Sequence, residues 1–103
     1  MKRGYDLSLS AEADLRNIVR YTRNQWGDTQ ARHYLAALKS CIERVAAGLG
    51  IFKDMAALHA GLRMVHCHHH YVFCRSGDHA PALIVAILHE RMDLMTRLSD
   101  RLR

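Results

Sequence analysis

Residues 83–89 read LIVAILH, and the polar segment ERMD follows at residues 90–93. A nearly unbroken apolar run of this length is typical of a buried strand rather than of a strand with one face in water. We therefore predict that residues 83–89 form a buried strand of a sheet, and that the flanking segments pair with it or cover it.

Two more strands are predicted just before this run. Leu62–His66 and His69–Arg75 have the composition of strands, and residues 67–69 form a tight turn between them. His is tolerated in such a turn because it enters the left-handed backbone region more readily than most residues. Ser76-Gly77-Asp78 has the composition of a second turn, which leads into the buried strand.

The first half of the chain predicts one strand and two helices. The opening segment YDLSL alternates apolar and polar residues, which places Tyr5, Leu7 and Leu9 on one face of a short strand. Ser10 has the character of a helix N-cap, so a first helix is expected over Ala11–Trp26. Its apolar positions are Leu15, Ile18, Val19 and Trp26.

A second helix is expected after the stop signal at Gly27. Asp28 or Thr29 can supply its N-cap, and Gly48 and Gly50 follow its end. Because only a short connection separates the two helices, they should lie antiparallel and share one apolar face against the sheet. The apolar stripe of the second helix comprises Ala31, Tyr34, Leu35, Leu38, Ile42, Val45, Ala46 and Leu49.

The remaining segments are a connection and a short C-terminal helix. Residues 50–61 (GIFKDMAALHAG) are too apolar for a free linker and are expected to pack against the fold. From Met92 onward, apolar residues recur at helical spacing and predict an amphipathic helix. Its apolar face carries Met95, Leu98 and Leu102, and its other face carries Arg97, Arg101 and Arg103.

This order of elements predicts an α+β fold. It consists of an N-terminal strand, an antiparallel two-helix hairpin packed on a small, mostly antiparallel sheet, and a short C-terminal helix. With 103 residues the chain fits a single domain over residues 1–103. The sequence shows neither a bilayer-spanning apolar run nor the apolar core of a signal peptide, which predicts a cytoplasmic protein without membrane contact.

The charge of the chain is positive and is carried mostly by Arg. Fifteen Lys and Arg residues against ten Asp and Glu give a formal charge of +5, and twelve of the fifteen are Arg. Arg pairs with carboxylate and with phosphate through two hydrogen bonds. The partner of an Arg-rich surface can therefore be either an acidic protein or nucleic acid. A direct DNA-binding module would concentrate its basic residues on one recognition element, whereas here Arg is spread over all three predicted helices and two of the strands.

The three cysteines and the histidine-rich segment at residues 66–70 raise the questions of disulfides and metal. An odd number of Cys in a chain without an export signal disfavours a disulfide framework, so Cys41 and Cys74 are expected as apolar core residues. Imidazole and thiolate are preferred zinc ligands, but residues 66–74 match no strong zinc motif. The turn also prevents the histidines of residues 66–70 from sharing one face, as they would on a continuous strand. No metal site and no cofactor are predicted.

Several short motifs, spread over nearly the whole chain, occur in the order found in one protein family. They are Ala13-Asp14-Leu15, Trp26-Gly27, Ala31 with Tyr34, Gly61-Leu62-Arg63, His70-Tyr71-Val72-Phe73, and Ile87-Leu88-His89-Glu90-Arg91-Met92-Asp93. On these motifs the chain resembles the ParE/RelE superfamily, the toxic halves of bacterial type II toxin–antitoxin pairs. It departs from that family at Cys74, where many relatives have Tyr, and at Cys67-His68-His69, where relatives often have Gly or Ser.

The resemblance implies a toxin that is neutralised by a cognate ParD-like antitoxin in a hetero-oligomeric complex. The ParE-like branch resembles poisons of DNA gyrase, and the RelE-like branch resembles ribosome-dependent mRNA endonucleases. We predict gyrase as the target and keep the endonuclease as the alternative. The antitoxin is expected to contact the C-terminal helix, where the candidate contact residues are Met95, Arg97, Leu98, Arg101 and Leu102.

An endonuclease would need a proton acceptor, a proton donor and positive charge on the phosphate. The candidates for these roles are Arg63, His89, Glu90 and Arg91. The favoured interpretation is instead structural, with Arg63, His89, Arg91 and Asp93 in a polar network at the end of the sheet. A gyrase poison needs no catalytic set, only a surface that holds its partner in one state.

Overall fold

A five-stranded sheet organises the part of the chain that the structure describes. The computed structural model describes residues 4–77 and 80–102. In chain order the elements are β1 (Tyr5–Leu7), α1 (Leu9–Trp26), α2 (Asp28–Ala46), β2 (Lys53–Asp54), β3 (Leu62–Cys67), β4 (His70–Gly77), β5 (Ala80–His89) and α3 (Leu94–Arg101). The predicted α+β fold is confirmed, with its N-terminal strand, two-helix hairpin and C-terminal helix. Each described helix is either too short or too polar to traverse a bilayer.

The buried strand predicted at residues 83–89 is β5, which lies inside the sheet. The strand order is β1-β5-β4-β3-β2. β1 pairs with β5 in parallel, and the other neighbours pair antiparallel. A parallel pair requires a long crossover, and here the helical hairpin and the intervening strands supply it. The predicted turn residue Asp78, like Arg103 of the C-terminal helix, lies outside the described residues.

The two-residue strand β2 is absent from the sequence prediction. It pairs with β3 and lies within residues 50–61, the segment expected to pack as a connection. Met55, which follows β2, is buried. The expected packing of this segment is therefore confirmed, although its strand is too short to leave a periodic pattern.

A β-bulge in β5 sets which side chains point to each face of the sheet. Phe73 pairs with Ala86 and Cys74 pairs with Ile84, so Val85 is an extra residue opposite β4. Ile84 therefore faces the helical hairpin, whereas Val85 and Ala86 both belong to the opposite face.

Two apolar cores lie on opposite faces of the sheet, because successive strand residues point to alternate sides. The hairpin-side core includes Ala11, Leu38, Ile42, Val45, Val72, Ile84 and Ile87. The α3-side core includes Met55, Leu62, Phe73, Ala86, Leu88 and Leu98. The predicted stripe of α2 thus supplies the hairpin-side core, as expected for a helix packed on a sheet.

The start of α1 differs from the prediction by two residues. Ser8, not Ser10, is the N-cap, because its Oγ accepts a hydrogen bond from the Ala11 N–H at 3.0 Å. The backbone N–H of Ser8 also donates to the Ile84 carbonyl of β5 at 3.0 Å. Ser8 therefore caps the helix while its backbone is still hydrogen-bonded to the sheet, and β1 ends at the residue before it. Leu9, predicted on the strand, lies in the first helical turn and is 84% exposed.

Gly27 alone connects the two helices. Its φ of +90° lies in the region that favours glycine, and it both ends α1 and precedes α2. The N-caps predicted at Asp28 or Thr29 are wrong, because α2 already begins at Asp28 without a side-chain cap. Trp26 and Leu49 were predicted on apolar faces but are 71% and 57% exposed, since they lie at the end of α1 and beyond the end of α2.

The cysteines contradict one prediction and confirm another. Cys41 of α2 and Cys67 of β3 form a disulfide, with their Cα atoms 6.0 Å apart. The expectation of no disulfide is wrong because the packing of α2 across the sheet joins two positions that are 26 residues apart in sequence. Cys74 is a buried free thiol, as predicted, and burial raises its pKa.

Asp14 of α1 joins three elements through one carboxylate. Its Oδ2 accepts hydrogen bonds from the Ile87 N–H at 3.0 Å and from the Arg101 guanidinium at 2.8 Å, and its Oδ1 accepts a second bond from Arg101. These bonds raise the pKa of Arg101. The Asp14 side chain is only 12% exposed. The carboxylate therefore holds α1, β5 and α3 together.

We expect Asp14→Asn to lower the free energy of unfolding by about 1–3 kcal/mol. An amide has one acceptor oxygen and no charge, so it leaves either the Ile87 N–H or part of the Arg101 guanidinium without a partner. Urea denaturation measures the change. Asp28→Asn is the matched control, because the Asp28–Arg23 pair is 69% and 59% exposed and should contribute less than about 1 kcal/mol. Equal losses in the two variants would contradict the role of Asp14.

Candidate functional site

The C-terminal helix α3, the predicted antitoxin contact, is fastened to the sheet. Leu98 is fully buried in the α3-side core, Leu102 packs against that core, and Arg101 is bound in the ion pair described above. Met95 is 51% exposed, and Arg97 is exposed as well. Leu98 and Arg101 make contacts within the chain, and antitoxin contact through the five candidate residues of this segment stays a prediction.

The predicted polar network at the end of the sheet is wrong. Arg63 stands at the beginning of β3, where its guanidinium donates to the Ser76 hydroxyl. His89 stands at the end of β5, where its Nδ1 accepts the Arg91 N–H at 3.1 Å. β3 and β5 run in the same direction, so these two places are at opposite ends of the sheet. Asp93 instead caps α3. Of the four candidate nuclease residues, Arg63 therefore lies apart from the other three, which are consecutive in sequence.

Glu90, directly after β5, lies between two histidines. Its Oε1 is 2.9 Å from His66 Nε2, and its Oε2 is 3.1 Å from His69 Nδ1. These hydrogen bonds hold the pKa of Glu90 below its usual range. Sequence analysis named Glu90 but did not connect it with either histidine, because the contact depends on the strand order.

The histidine-rich turn has the backbone that the sequence predicted. His68 has a φ of 58°, in the left-handed region, and this turn interrupts the strand alternation of residues 66–70. Within residues 4–77 and 80–102, no group of three His, Cys, Asp or Glu side chains is placed to hold a metal ion.

Tyr34 fastens this turn to α2. Its hydroxyl oxygen accepts the His69 N–H at 3.2 Å and lies 2.6 Å from His70 Nδ1. His70 is 8% exposed, and burial together with the nearby His89 lowers its pKa to about 4. At neutral pH the uncharged imidazole can therefore accept the Tyr34 hydroxyl proton in this hydrogen bond. Burial also raises the pKa of Tyr34.

A groove between α1 and α2 combines an apolar floor with a cationic rim. Its volume is about 490 Å³. A smaller depression, of about 290 Å³, shares Val19 and Leu35 with this groove and extends along α2 to Ala31 and Arg32. The floor consists of the partly buried side chains of Leu7, Leu15, Val19 and Leu35, and the rim carries Arg16, Arg20, Arg23 and Lys39 beside a single acid, Glu12.

Most of the rim charge is available to a partner. Arg23 pairs with Asp28 at 2.9 Å, whereas Arg16, Arg20 and Lys39 form no ion pair within the described chain. Sequence analysis did not single out this groove. Its signal is nevertheless present, since the three Arg residues of α1 recur at spacings of four and three and so share one helix face beside the apolar stripe.

The arrangement of sheet and hairpin recurs in a solved structure. It matches a chain of "Chromosomal ParDE TA system from P. aeruginosa" with a TM-score of 0.66, covering 84% of this chain and 95% of that chain. The two sequences are 15% identical, so this likeness shows the fold alone. The chain thus has the α+β fold of a small protein from a toxin–antitoxin system.

Sequence comparisons define the family within that fold. The family model described as "ParE toxin of type II toxin-antitoxin system, parDE" matches residues 5–94. Toxin ParE of Escherichia coli is 62% identical over 99 residues, 96% of each chain. Toxin ParE1 of Mycobacterium tuberculosis is 34% identical over 94 residues, 91% of this chain and 96% of that protein. The chain belongs to the ParE family of type II toxin–antitoxin toxins, which confirms the resemblance found in its motifs.

The buried, neutral His70 predicts that the fold loses stability in mild acid. Its pKa is about 4 in the folded chain against an ordinary value of 6.5, so between these values the unfolded chain binds the proton more readily. The free energy of unfolding should be highest above about pH 6.5 and fall as the pH drops towards about 4. The loss should be on the order of 2–3 kcal/mol.

Urea denaturation at several pH values between about 7 and 4.5 measures this dependence. His70→Gln should show a flatter slope than the unsubstituted chain. His33→Gln is the control, because His33 is exposed on α2 and its substitution should leave the slope unchanged. The explanation fails if His70→Gln retains the full pH dependence.

Proposed function

We propose that this chain is a toxin that inhibits DNA gyrase and that a cognate ParD-like antitoxin neutralises it in a hetero-oligomeric complex. The observation that carries the proposal is the match to the ParE family over residues 5–94, with 62% identity to Toxin ParE of Escherichia coli. The gyrase target follows the ParE-like branch of the superfamily. Gyrase and the antitoxin would both be met in the cytoplasm, where we expect the chain to act.

The placement of the candidate nuclease residues favours gyrase over mRNA as the target. Arg63 is at the opposite end of the sheet from His89, Glu90 and Arg91. The candidate set therefore loses one of its two positive charges at any phosphate that the other three residues would hold. A poison that traps its partner in one state has no such requirement.

One observation favours the alternative, ribosome-dependent mRNA cleavage. A carboxylate that binds one ring nitrogen of an imidazole leaves the other nitrogen free to take or give a proton. Glu90 binds His66 and His69 in this way, and their side chains are 50% and 73% exposed. These two imidazoles would supply the acid and the base if RNA were the substrate.

The groove between α1 and α2 is the surface that we propose for the antitoxin. An amphipathic segment with acidic residues can place its apolar side chains on the floor and its carboxylates against Arg16, Arg20 and Lys39. Such a segment can be disordered when free and can order on binding. α3 offers less free surface, because Leu98 and Arg101 already make contacts within the chain.

We expect the purified chain to inhibit supercoiling by DNA gyrase and to raise the amount of cleaved DNA held by the enzyme. Agarose-gel assays with relaxed and supercoiled plasmid measure both effects. Glu90→Gln should inhibit gyrase as strongly as the unsubstituted chain, since the proposal gives this carboxylate no catalytic role. If gyrase is unaffected while translating ribosomes cleave mRNA, and Glu90→Gln abolishes that cleavage, the alternative replaces the proposal.

Charge reversal on the groove rim should weaken antitoxin binding. The double variant Arg16→Glu, Arg20→Glu should bind the antitoxin about tenfold or more weakly and lose much of the salt dependence of binding, because two favourable charges become repulsive. Titration calorimetry measures the affinity. The control is Arg44→Glu, since Arg44 is exposed on α2 outside the groove and its reversal should have a much smaller effect. If Met95→Ala or Arg97→Ala weakens binding more than the double variant, the contact surface is α3.

A further inference from the structure

The disulfide between Cys41 and Cys67 cross-links two parts of the fold, and the proposed function makes no use of it. Cys41 lies on α2, and Cys67 is the last residue of β3, directly before the turn that Tyr34 holds. If the chain meets gyrase in the cytoplasm, as proposed, it works where thiol reductants are abundant. Disulfides in cytosolic proteins are mostly transient or redox-sensing.

We propose that Cys41 and Cys67 form a reversible thiol–disulfide site whose oxidation stabilises the folded toxin. The oxidant and the reductant are low-molecular-weight disulfides and thiols of the glutathione class. The compartment argument depends on the proposed function, whereas the chemistry of the site depends only on the fold.

The packing of the helix, rather than the bond itself, brings the two positions together. Leu38 and Ile42 flank Cys41 on α2 and are 0% and 1% exposed in the hairpin-side core. Tyr34, on the same helix, fixes the turn that follows Cys67. The Cα atoms are 6.0 Å apart, within the ordinary range for a disulfide. The bond can therefore open and close with little movement of the backbone.

The difference in exposure between the two cysteines sets the order of steps. Cys41 is partly buried, whereas Cys67 is 1% exposed. In reduction, an external thiolate attacks the Cys41 sulfur; a mixed disulfide forms at Cys41, the protein disulfide breaks, and Cys67 leaves as a thiolate that takes up a proton.

A second external thiolate then attacks the reagent sulfur of the mixed disulfide and releases Cys41 as a thiolate, which also takes up a proton. In total, the protein gains two electrons and two protons, and two small thiols become one small disulfide. Oxidation by a small disulfide is the reverse sequence.

Opening the bond should leave the fold intact but less stable. The cross-link restricts the unfolded chain by joining positions 26 residues apart. The buried residues Leu38, Ile42 and Val45 hold α2 on the sheet in either state. Cys74 is buried and free, so it serves as an internal reference thiol.

The test equilibrates the purified full-length chain in glutathione buffers of increasing oxidised fraction, quenches in acid, and alkylates the thiols in denaturant. In oxidising buffer we expect Cys41 and Cys67 to escape alkylation together, while Cys74 is alkylated throughout. The melting temperature should rise by roughly 10 °C from the reduced to the oxidised form. Cys41→Ala should melt near the reduced form in all buffers, and Cys74→Ala should keep the redox dependence.

Three alkylated thiols in every buffer, or equal melting temperatures for the two forms, would overturn the proposal. A bond that persists in fully reduced glutathione would overturn its reversibility. If Cys41→Ala does not fold, alkylation of the unsubstituted chain still decides the outcome. None of these measurements involves gyrase or antitoxin, so a failure here is distinguishable from a failure of the proposed function.

Discussion

The carboxylate of Asp14 holds the fold together at the place where the pairing of β1 with β5 ends. β1 is three residues long, so β5 continues past it with backbone groups that β1 cannot satisfy. Ser8 and Asp14 replace the missing strand: the Ser8 hydroxyl donates to the Val85 carbonyl at 3.3 Å, and Asp14 accepts the Ile87 N–H at 3.0 Å. Arg101 balances the charge that this arrangement buries and thereby fixes α3.

Different helices pack on the two faces of the sheet, and this asymmetry decides which surfaces remain exposed to a partner. Two long helices cover one face, and a single eight-residue helix lies over the other. Because α3 is short, its one fully buried residue, Leu98, and the Asp14–Arg101 pair are needed to hold it. The hairpin has a larger core beneath it, so its outer groove can keep exposed cations without a structural role.

The end of the sheet near the β3–β4 turn concentrates polar and redox-active side chains. Tyr34 and Cys41 of α2 reach this end, and so does Glu90 after β5. The strand order β5-β4-β3 explains the meeting, because the turn between the two antiparallel strands lies beside the end of β5. The groove proposed for the antitoxin and the disulfide both include residues of α2.

The sequence by itself determined what local pattern controls: the two helices, the buried strand, the left-handed turn, the burial of Cys74 and, through its motifs, the family. The tertiary structure alone decided which distant residues meet. Periodicity assigns a residue to a face but does not say which element lies opposite. For this reason the disulfide was not expected, Arg63 was expected in a network with Asp93, and the pairing of Arg101 with Asp14 was not predicted. The groove between the helices also required the packed hairpin, because it is made of side chains from both helices and from β1.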